Sequence, residues 1–121
     1  MVYFFQIKIT TTNNCNLNNN IYINDIDVDV CELFKNQHIL IITSYREGLP
    51  LVFAESISQG VVVISTNVGA MSYFIKNEIN GFIIPQDGST LDYLNNLILH
   101  ISKSPSSLLP IAKEGLKIYI E

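Results

Sequence analysis

The fold of this chain is decided by residues 44–55, SYREGLPLVFAE, together with the apolar run HILIIT at residues 38–43 that precedes them. Pro50 suits the first position of a helix, because the N–H that proline lacks would have no intrahelical partner there. Gly60 is the residue type that commonly follows the end of a helix. The sequence therefore predicts a strand, a short loop and a helix over residues 50–59. In α/β proteins, ligands bind at the carboxyl ends of strands in such units.

Two further apolar runs, residues 61–64 and 82–84, predict strands that are buried on both faces, which is typical of a parallel sheet. Predicted helices separate these strands. We therefore expect an α/β fold, a Rossmann-like parallel sheet with flanking helices and right-handed crossovers. The Glu47 loop and the loop at residues 66–69 should lie at one edge of the sheet. The length of 121 residues predicts a single domain.

Local patterns predict details of the other elements. Residues 2–9 are aromatic and β-branched and predict a strand, whereas residues 10–20 form an atypical Asn-rich loop. Asn80–Gly81 predicts a turn in which these residues supply positive φ. Ser89 is the predicted N-cap of a helix that has an Asp in its first turn. The apolar stripe of that helix is predicted to comprise Leu91, Leu94, Ile98 and Ile101.

Composition excludes several classes of function. The formal net charge is −4 without a basic cluster, so nucleic acid is not an expected partner. Cys15 and Cys31 are too few for a disulfide framework or a zinc site, and no other cluster has metal-ligand spacing, so no metal is expected. No apolar run approaches the roughly 18 residues needed to span a bilayer. A cytoplasmic location is therefore expected, with peripheral attachment to the inner face of the membrane left open.

Two other α/β classes do not fit the sequence. A phosphoacceptor receiver domain needs acids after its first strand, where this chain has residues 10–12, TTT, and a Lys after its last strand, where this chain has Pro85. The dinucleotide fingerprint G-x-G-x-x-G does not occur. Neither of these classes therefore accounts for the strand–loop–helix unit at residues 38–59, and we expect this unit to bind a different class of ligand.

The pattern Ser-x-x-Glu-Gly-x-Pro-x-x-x-x-Glu, from Ser44 to Glu55, resembles the E-x7-E motif of retaining glycosyltransferases with the GT-B architecture. These are the glycosyl transferases group 1, of the family 4 type. The resemblance continues through Gly60, residues 65–69 and residues 80–85, and it covers roughly residues 21–121. It implies that the chain is the C-terminal, donor-binding half of a GT-B fold, with residues 1–20 atypical.

The resemblance implies a set of site residues. Glu47 would lie beside the donor sugar as the catalytic residue, and Glu55 would accept hydrogen bonds from the ribose hydroxyls. A carboxylate suits a vicinal diol because it offers two acceptor oxygens, and a helix N-terminus favours a nearby phosphate. Either acid alone would be interpreted as an ordinary solvated residue, but the complete motif favours donor binding. The implied donor-binding residues are Ser44, Glu47, Gly48, Leu49, Pro50, Glu55, Thr66, Asn67 and Gly69.

The chain departs from the family pattern at several positions. Asn67 replaces the usual Asp, Ala70 the second Gly and Tyr73 the acid that often follows, while Val62 stands where a Pro is common. The Arg and Lys that neutralise the donor diphosphate in the family are missing, since Arg46 is the only Arg and lies within the Glu47 loop. The acceptor domain is also missing. We therefore expect a truncated enzyme with doubtful activity when alone.

The expected function is transfer of a sugar from a nucleotide diphosphate sugar to a glycan or lipid-linked acceptor, with retention and without a cofactor. The enzyme would be a glycosyltransferase of the hexosyltransferase type, acting in polysaccharide biosynthesis. A separate chain that carries the acceptor domain is one candidate partner. Two alternatives remain open: a non-catalytic module that binds nucleotide sugars or forms a complex, and a related nucleotide-sugar epimerase.

Overall fold

The computed structural model describes residues 5–6, 34, 37–43, 48 and 51–120. Strands and helices alternate along most of this part of the chain, as expected for an α/β fold. The elements are β1 (Phe5–Gln6), β2 (Ile39–Ile42), α1 (Leu51–Ser58), β3 (Val62–Thr66), α2 (Met71–Phe74), β4 (Phe82–Ile84), α3 (Thr90–Lys103), a 3-10 turn (Pro105–Ser107) and α4 (Leu108–Ile120).

The described strands form one sheet in the order β1-β2-β3-β4. β2 pairs with β3 in parallel, with Ile39 opposite Val62, and β3 pairs with β4 in parallel, with Ile64 opposite Phe82. The predicted parallel sheet with flanking helices is therefore confirmed. β1 adds to the edge of β2 in the antiparallel direction, with Phe5 opposite Ile41, which the sequence did not predict.

The three parallel strands are covered on both faces. Alternate side chains point to opposite faces of a strand, so Leu40 and Ile42 face one core cluster while Ile39 and Ile41 face the other. The first cluster lies between the sheet and α1 with α2, and the second lies between the sheet and α3 with the start of α4. All four residues of β2 are buried, which explains the unbroken apolar run.

Helix α1 ends as the sequence predicted, and it does so through a Schellman motif. Gly60 has φ +74°. The N–H of Gly60 donates to the carbonyl of Ile57 at 3.1 Å, and the N–H of Val61 donates to the carbonyl of Ser56 at 3.0 Å. Only glycine adopts this φ without steric cost. The chain is thereby turned directly from α1 into β3, and the opposite end of α1 is directed to the other edge of the sheet.

The turn before β4 differs from the prediction in one respect. The residue with positive φ is Glu78, at φ 67°, and not Asn80 or Gly81. Gly81 is instead required by packing, since a Cβ there would lie 3.0 Å from the carbonyl oxygen of Val63 and 3.1 Å from Cγ2 of Ile75. Asn80 holds the turn through its side chain, which accepts from the N–H of Lys76 at 2.7 Å and donates to the carbonyl of Phe74 at 3.1 Å.

Helix α3 begins where the sequence predicted, but two details differ. Ser89 occupies the N-cap position without a capping hydrogen bond, because its hydroxyl donates to Asp87. Leu91 was predicted to lie in the apolar stripe and is 68% exposed. The 14 residues of α3 extend about 21 Å, whereas the three residues of β4 cover about 10 Å. The helix is therefore longer than the strand on which it packs.

We expect Gly81→Ala to lower the free energy of unfolding by about 1–3 kcal/mol, because the added methyl group overpacks the space beside Val63 and Ile75. Glu78→Asn should not destabilise the chain, since Asn tolerates positive φ better than Glu. Gly88→Ala is the matched control, because a Cβ there would meet nothing within 4 Å. Urea unfolding of the three variants measures these effects, and a Gly81→Ala variant as stable as Gly88→Ala would contradict the packing role.

Candidate functional site

The site lies at the edge of the sheet where the three parallel strands end. β2 ends at Ile42, β3 at Thr66 and β4 at Ile84, and the segments that follow them meet at this edge. Helix α1 begins at the same edge with Leu51, so its positive dipole end also lies here. The parallel pairing thus brings together segments that are far apart along the sequence.

One hydrogen bond joins the first two of these segments. The N–H of Ala70 donates to the carbonyl oxygen of Gly48 at 3.2 Å. Gly48 belongs to the loop that carries Glu47 in the sequence, and Ala70 closes the loop after β3. The two loops predicted to share one edge are therefore in direct contact. A Cβ at Gly48 would meet no described atom within 4 Å, so packing within the described chain does not require glycine there.

The loop after β3 alternates between buried and exposed residues. Val68 and Met71 are anchored in the core, at 3% and 0% exposure, while Asn67 and Gly69 point to solvent. Gly69 has φ +54°, a conformation that favours glycine. Thr66 is the last residue of β3 and is 2% exposed, so it lies beneath the loop rather than on its surface. Of the predicted residues here, Asn67 and Gly69 are the ones that a ligand could reach directly.

Glu55 lies on the second turn of α1 and is half-buried. The opposite face of the helix packs into the core through Val52, Phe53 and Ile57. The carboxylate of Glu55 forms no hydrogen bond or ion pair with any other described residue, although its backbone carbonyl accepts from the hydroxyl of Ser58 at 2.7 Å. With no partner among the described residues, this carboxylate can accept hydrogen bonds from a ligand.

A depression adjoins the loop after β3 and was not identified from the sequence. It has a volume of about 440 Å³. Its residues lie at the end of β4, in the segments that follow β3 and β4, and on the first turn of α3. Asn67 is the one that it shares with the predicted donor site. The rule that carboxyl ends of parallel strands meet at one edge could have identified the segment after β4. The lining residues are Asn67, Ile83, Ile84, Pro85, Gln86, Asp87 and Tyr93.

Asp87 is held in a fixed geometry at this depression. One carboxylate oxygen, Oδ1, accepts from the backbone N–H of Ser89 at 2.7 Å and also from the hydroxyl of Ser89. The hydrogen bond from the Ser89 hydroxyl, and secondly the one from the Ser89 N–H, hold the pKa of Asp87 below its usual value of 3.8. The carboxylate is therefore ionised at neutral pH. The hydroxyl oxygen of Thr90 fixes the same turn, because it accepts a hydrogen bond from the backbone N–H of Asp87 at 3.2 Å.

Four of the predicted site residues, Ser44, Glu47, Leu49 and Pro50, lie outside the described residues. Arg46 lies outside them as well. The described lysines occupy the turn before β4, the end of α3 and α4, so none of them follows the carboxyl end of a strand. In the described part of the chain no group of three or more His, Cys, Asp or Glu residues could hold a metal ion. No described helix is both long and apolar enough to cross a bilayer.

An α/β sheet with two glycine-containing loops joined at its carboxyl edge, beside a helix whose Glu55 has no described partner, is an arrangement in which α/β proteins bind ligands. Residues 8–116 match the family model described as Glycosyl transferases group 1. Because this match covers most of the chain, the chain belongs to that family of glycosyltransferases.

Individual proteins are similar to this chain in sequence or in fold. Over 56 residues, or 46% of this chain and 14% of the relative, the chain is 32% identical to the UDP-Gal:alpha-D-GlcNAc-diphosphoundecaprenol alpha-1,3-galactosyltransferase of Escherichia coli. The structure of the C-terminal domain of a glycosyl transferase group 1 protein from Francisella tularensis superposes with a TM-score of 0.67 at 20% identity, over 82% of this chain and 49% of that one.

A further solved structure shares the fold. The Anabaena protein HepE, in complex with UDP-glucose, superposes with a TM-score of 0.74 at 21% identity, over 85% of this chain and 28% of that one. The fold is therefore that of a GT-B glycosyltransferase C-terminal domain. The chain spans 14–49% of the length of these three proteins.

We expect the stabilising effect of Asp87 to depend on pH. Because the pKa of Asp87 is lowered by folding, its contribution is fully present above the unfolded value of 3.8 and is lost as the pH falls through the folded pKa. Asp87→Asn should thus be less stable than the wild type near neutral pH, and the gap should close on acidification. Urea unfolding across this pH range measures the gap, and a gap that stays constant would contradict the assignment.

Proposed function

We propose that this chain is the donor-binding part of a retaining hexosyltransferase of the family 4 type, acting in polysaccharide biosynthesis. The donor is a nucleotide diphosphate sugar, and the acceptor is a glycan or a lipid-linked saccharide. The proposal includes a cytoplasmic location and no cofactor. The observation that carries it is the carboxylate of Glu55, which has no partner among the described residues and lies on a helix whose N-terminus is at the joined Gly48–Ala70 edge.

The names of the similar proteins support a nucleotide sugar as the donor. The HepE structures contain UDP and UDP-glucose, and the E. coli relative is named as a galactosyltransferase that uses UDP-Gal and a lipid diphosphate acceptor. A uridine diphosphate sugar is therefore the first donor to test with this chain.

In the proposed complex the ribose lies beside α1, where the two carboxylate oxygens of Glu55 accept hydrogen bonds from the vicinal hydroxyls. The diphosphate lies near the N-terminus of α1, where the helix dipole favours negative charge. The sugar lies over the loop contact between Gly48 and Ala70, beside Glu47. Exposed Asn67 and Gly69 border this space, and buried Thr66 supports it from below.

In the proposed reaction the acceptor hydroxyl attacks the anomeric carbon on the face from which the phosphate departs. The bond between the anomeric carbon and the phosphate oxygen breaks as the new glycosidic bond forms. The acceptor proton moves to the leaving phosphate, and the nucleoside diphosphate is released. Retention follows because the entering and leaving oxygens occupy the same face, and the proposed role of Glu47 is to bind the sugar during this exchange.

A non-catalytic module that binds a nucleotide sugar is the second candidate. The observation that favours it is that the chain departs from the family pattern at residues bordering the candidate donor site. Asn67 stands where the family has an Asp, and Tyr73, which is 81% exposed, stands where an acid often follows. Binding without transfer, even in the presence of an added acceptor domain, would support this candidate.

We expect the two acids to differ in their ligand dependence. Glu55→Ala should weaken the binding of UDP by roughly ten- to a hundredfold, because the ribose diol loses its charged acceptor. Glu47→Ala should leave UDP binding nearly unchanged and weaken the binding of UDP-glucose. Titration calorimetry with both ligands measures the two effects.

Glu78→Gln is the matched control for the loss of one negative charge, because Glu78 is exposed in the turn before β4, away from the carboxyl edge. It should bind both ligands as the wild type does. Equal losses for Glu47→Ala and Glu55→Ala with both ligands would overturn the assigned roles, and so would a loss of the same size in the control.

We expect the purified chain of 121 residues to show no appreciable sugar transfer when tested alone. Positioning of two reactants supplies about 7–11 kcal/mol of barrier reduction, and a separate acceptor domain would have to provide it. No described cation lies at the carboxyl edge to stabilise the leaving diphosphate. A radiolabelled transfer assay with a panel of donors and acceptors tests this. Robust turnover would contradict the prediction, and conversion of UDP-glucose without an acceptor would favour the epimerase.

A further inference from the structure

We propose that the depression after β4, lined by Asn67, Asp87 and Tyr93 among others, is a saccharide-binding subsite that takes a neutral pyranose ring. It is separate from the contacts assigned to Glu47 and Glu55. The inference rests on the proposed function in one respect, since a sugar held here would belong to the acceptor saccharide of the same transferase.

The position of the depression supports this assignment. It lies at the carboxyl ends of β3 and β4, on the same edge as the joined Gly48 and Ala70 loops. Asn67 belongs both to the loop after β3 and to the lining of the depression, since it is the exposed residue that directly follows β3. A sugar bound here is thus adjacent to the loop over which the donor sugar is proposed to lie.

The lining has the mixed chemistry that a sugar ring requires. A pyranose has apolar C–H faces and a rim of hydroxyl groups. Tyr93 is 42% exposed and offers an aromatic surface, and the half-buried Ile83 and Pro85 add apolar area. Asn67 and Gln86 supply amides that both donate and accept, and Asp87 supplies a carboxylate. The volume of about 440 Å³ lies within the range of small-molecule sites.

Two of these polar side chains, those of Asn67 and Asp87, have atoms without a described partner, and Asp87 is preorganised. Both hydrogen bonds to the Asp87 carboxylate go to Oδ1, so Oδ2 has no described partner and can accept from a ligand hydroxyl. The side chain of Asn67 forms no hydrogen bond with any described residue. The backbone at Asp87 is fixed, since its carbonyl accepts from the N–H of Thr90 at 3.3 Å. A ligand therefore meets an acceptor whose position is already set.

Charge selects a neutral ligand over an anion. No Lys, Arg or His lines the depression, and the carboxylate of Asp87, whose pKa is lowered by the hydrogen bonds from Ser89, is negatively charged at neutral pH. A phosphate would meet a carboxylate without a compensating cation, which disfavours binding. A polyol has no charge to repel and can donate to Oδ2. The depression therefore differs in charge preference from the N-terminus of α1, where the donor diphosphate is proposed to lie.

The test is an amide NMR titration of the full chain with the methyl glycosides of glucose, galactose and N-acetylglucosamine, and with inorganic phosphate. We expect saturable shifts for at least one glycoside at the amides of residues 67, 83–84, 86–87 and 93, and none there for phosphate. Tyr93→Ala should weaken that binding roughly tenfold, since the aromatic surface is lost, and Asp87→Asn should weaken it as well. Tyr93→Phe retains the ring and should bind nearly as the wild type does.

Tyr119→Ala is the matched control, because Tyr119 is an exposed tyrosine near the end of α4, at 58% exposure. It should not change sugar binding. No saturable shift with any glycoside, shifts confined to other parts of the chain, or an equal loss in Tyr119→Ala and Tyr93→Ala would overturn the proposal. The Tyr93→Phe and Asp87→Asn variants keep the test decisive if Tyr93→Ala does not fold.

A further comparison separates this subsite from the donor site. Glu55→Ala should lose UDP binding and retain glycoside binding, whereas Tyr93→Ala should do the reverse. Glycoside binding at the depression without any UDP binding would support the subsite while contradicting the proposed function. UDP binding without glycoside binding would support the proposed function and refute the subsite.

Discussion

The hydrogen bond from the N–H of Ala70 to the carbonyl of Gly48 depends on the parallel pairing of β2 with β3. Parallel strands place their carboxyl ends at one edge, so the segments that leave them can meet. If β3 ran antiparallel to β2, the loop after β3 would lie at the other edge, and the two halves of the candidate donor site would be separated by the length of the strands. The arrangement of the site is thus a consequence of strand direction.

The same constraint explains where the binding chemistry is concentrated. β3 is apolar along most of its length and becomes polar at its carboxyl end, where Val62, Val63 and Ile64 are followed by Ser65 and Thr66. The hydroxyl of buried Ser65 is satisfied by the carbonyl of Thr66 at 2.8 Å. The exposed polar residues come immediately afterwards. One continuous segment of the chain therefore supplies both the buried core of the sheet and the exposed polar residues at its carboxyl edge.

Much of this arrangement could be predicted from the sequence, because it depends on local patterns. The apolar runs at residues 39–42 and 82–84 predicted the strands, and Gly60 predicted the end of α1, where positive φ is observed. Details that depend on neighbours in space could not be predicted. The packing requirement at Gly81 comes from Val63 and Ile75, so the residue type alone suggested the wrong reason for it.

The depression beside Tyr93 could not be predicted from the sequence, because it forms where the start of α3 meets the end of β4. The apolar periodicity of a helix shows which of its faces packs on the sheet, but it does not show where the neighbouring strand ends. The assigned roles of Glu47 and its neighbouring loop residues stay predictions. A crystal structure of the chain with UDP-glucose tests the central claim most directly. The account predicts the ribose against Glu55, the diphosphate at the start of α1 and the sugar over the Gly48–Ala70 contact. A nucleotide bound at the opposite edge of the sheet, near Gly60, would contradict it.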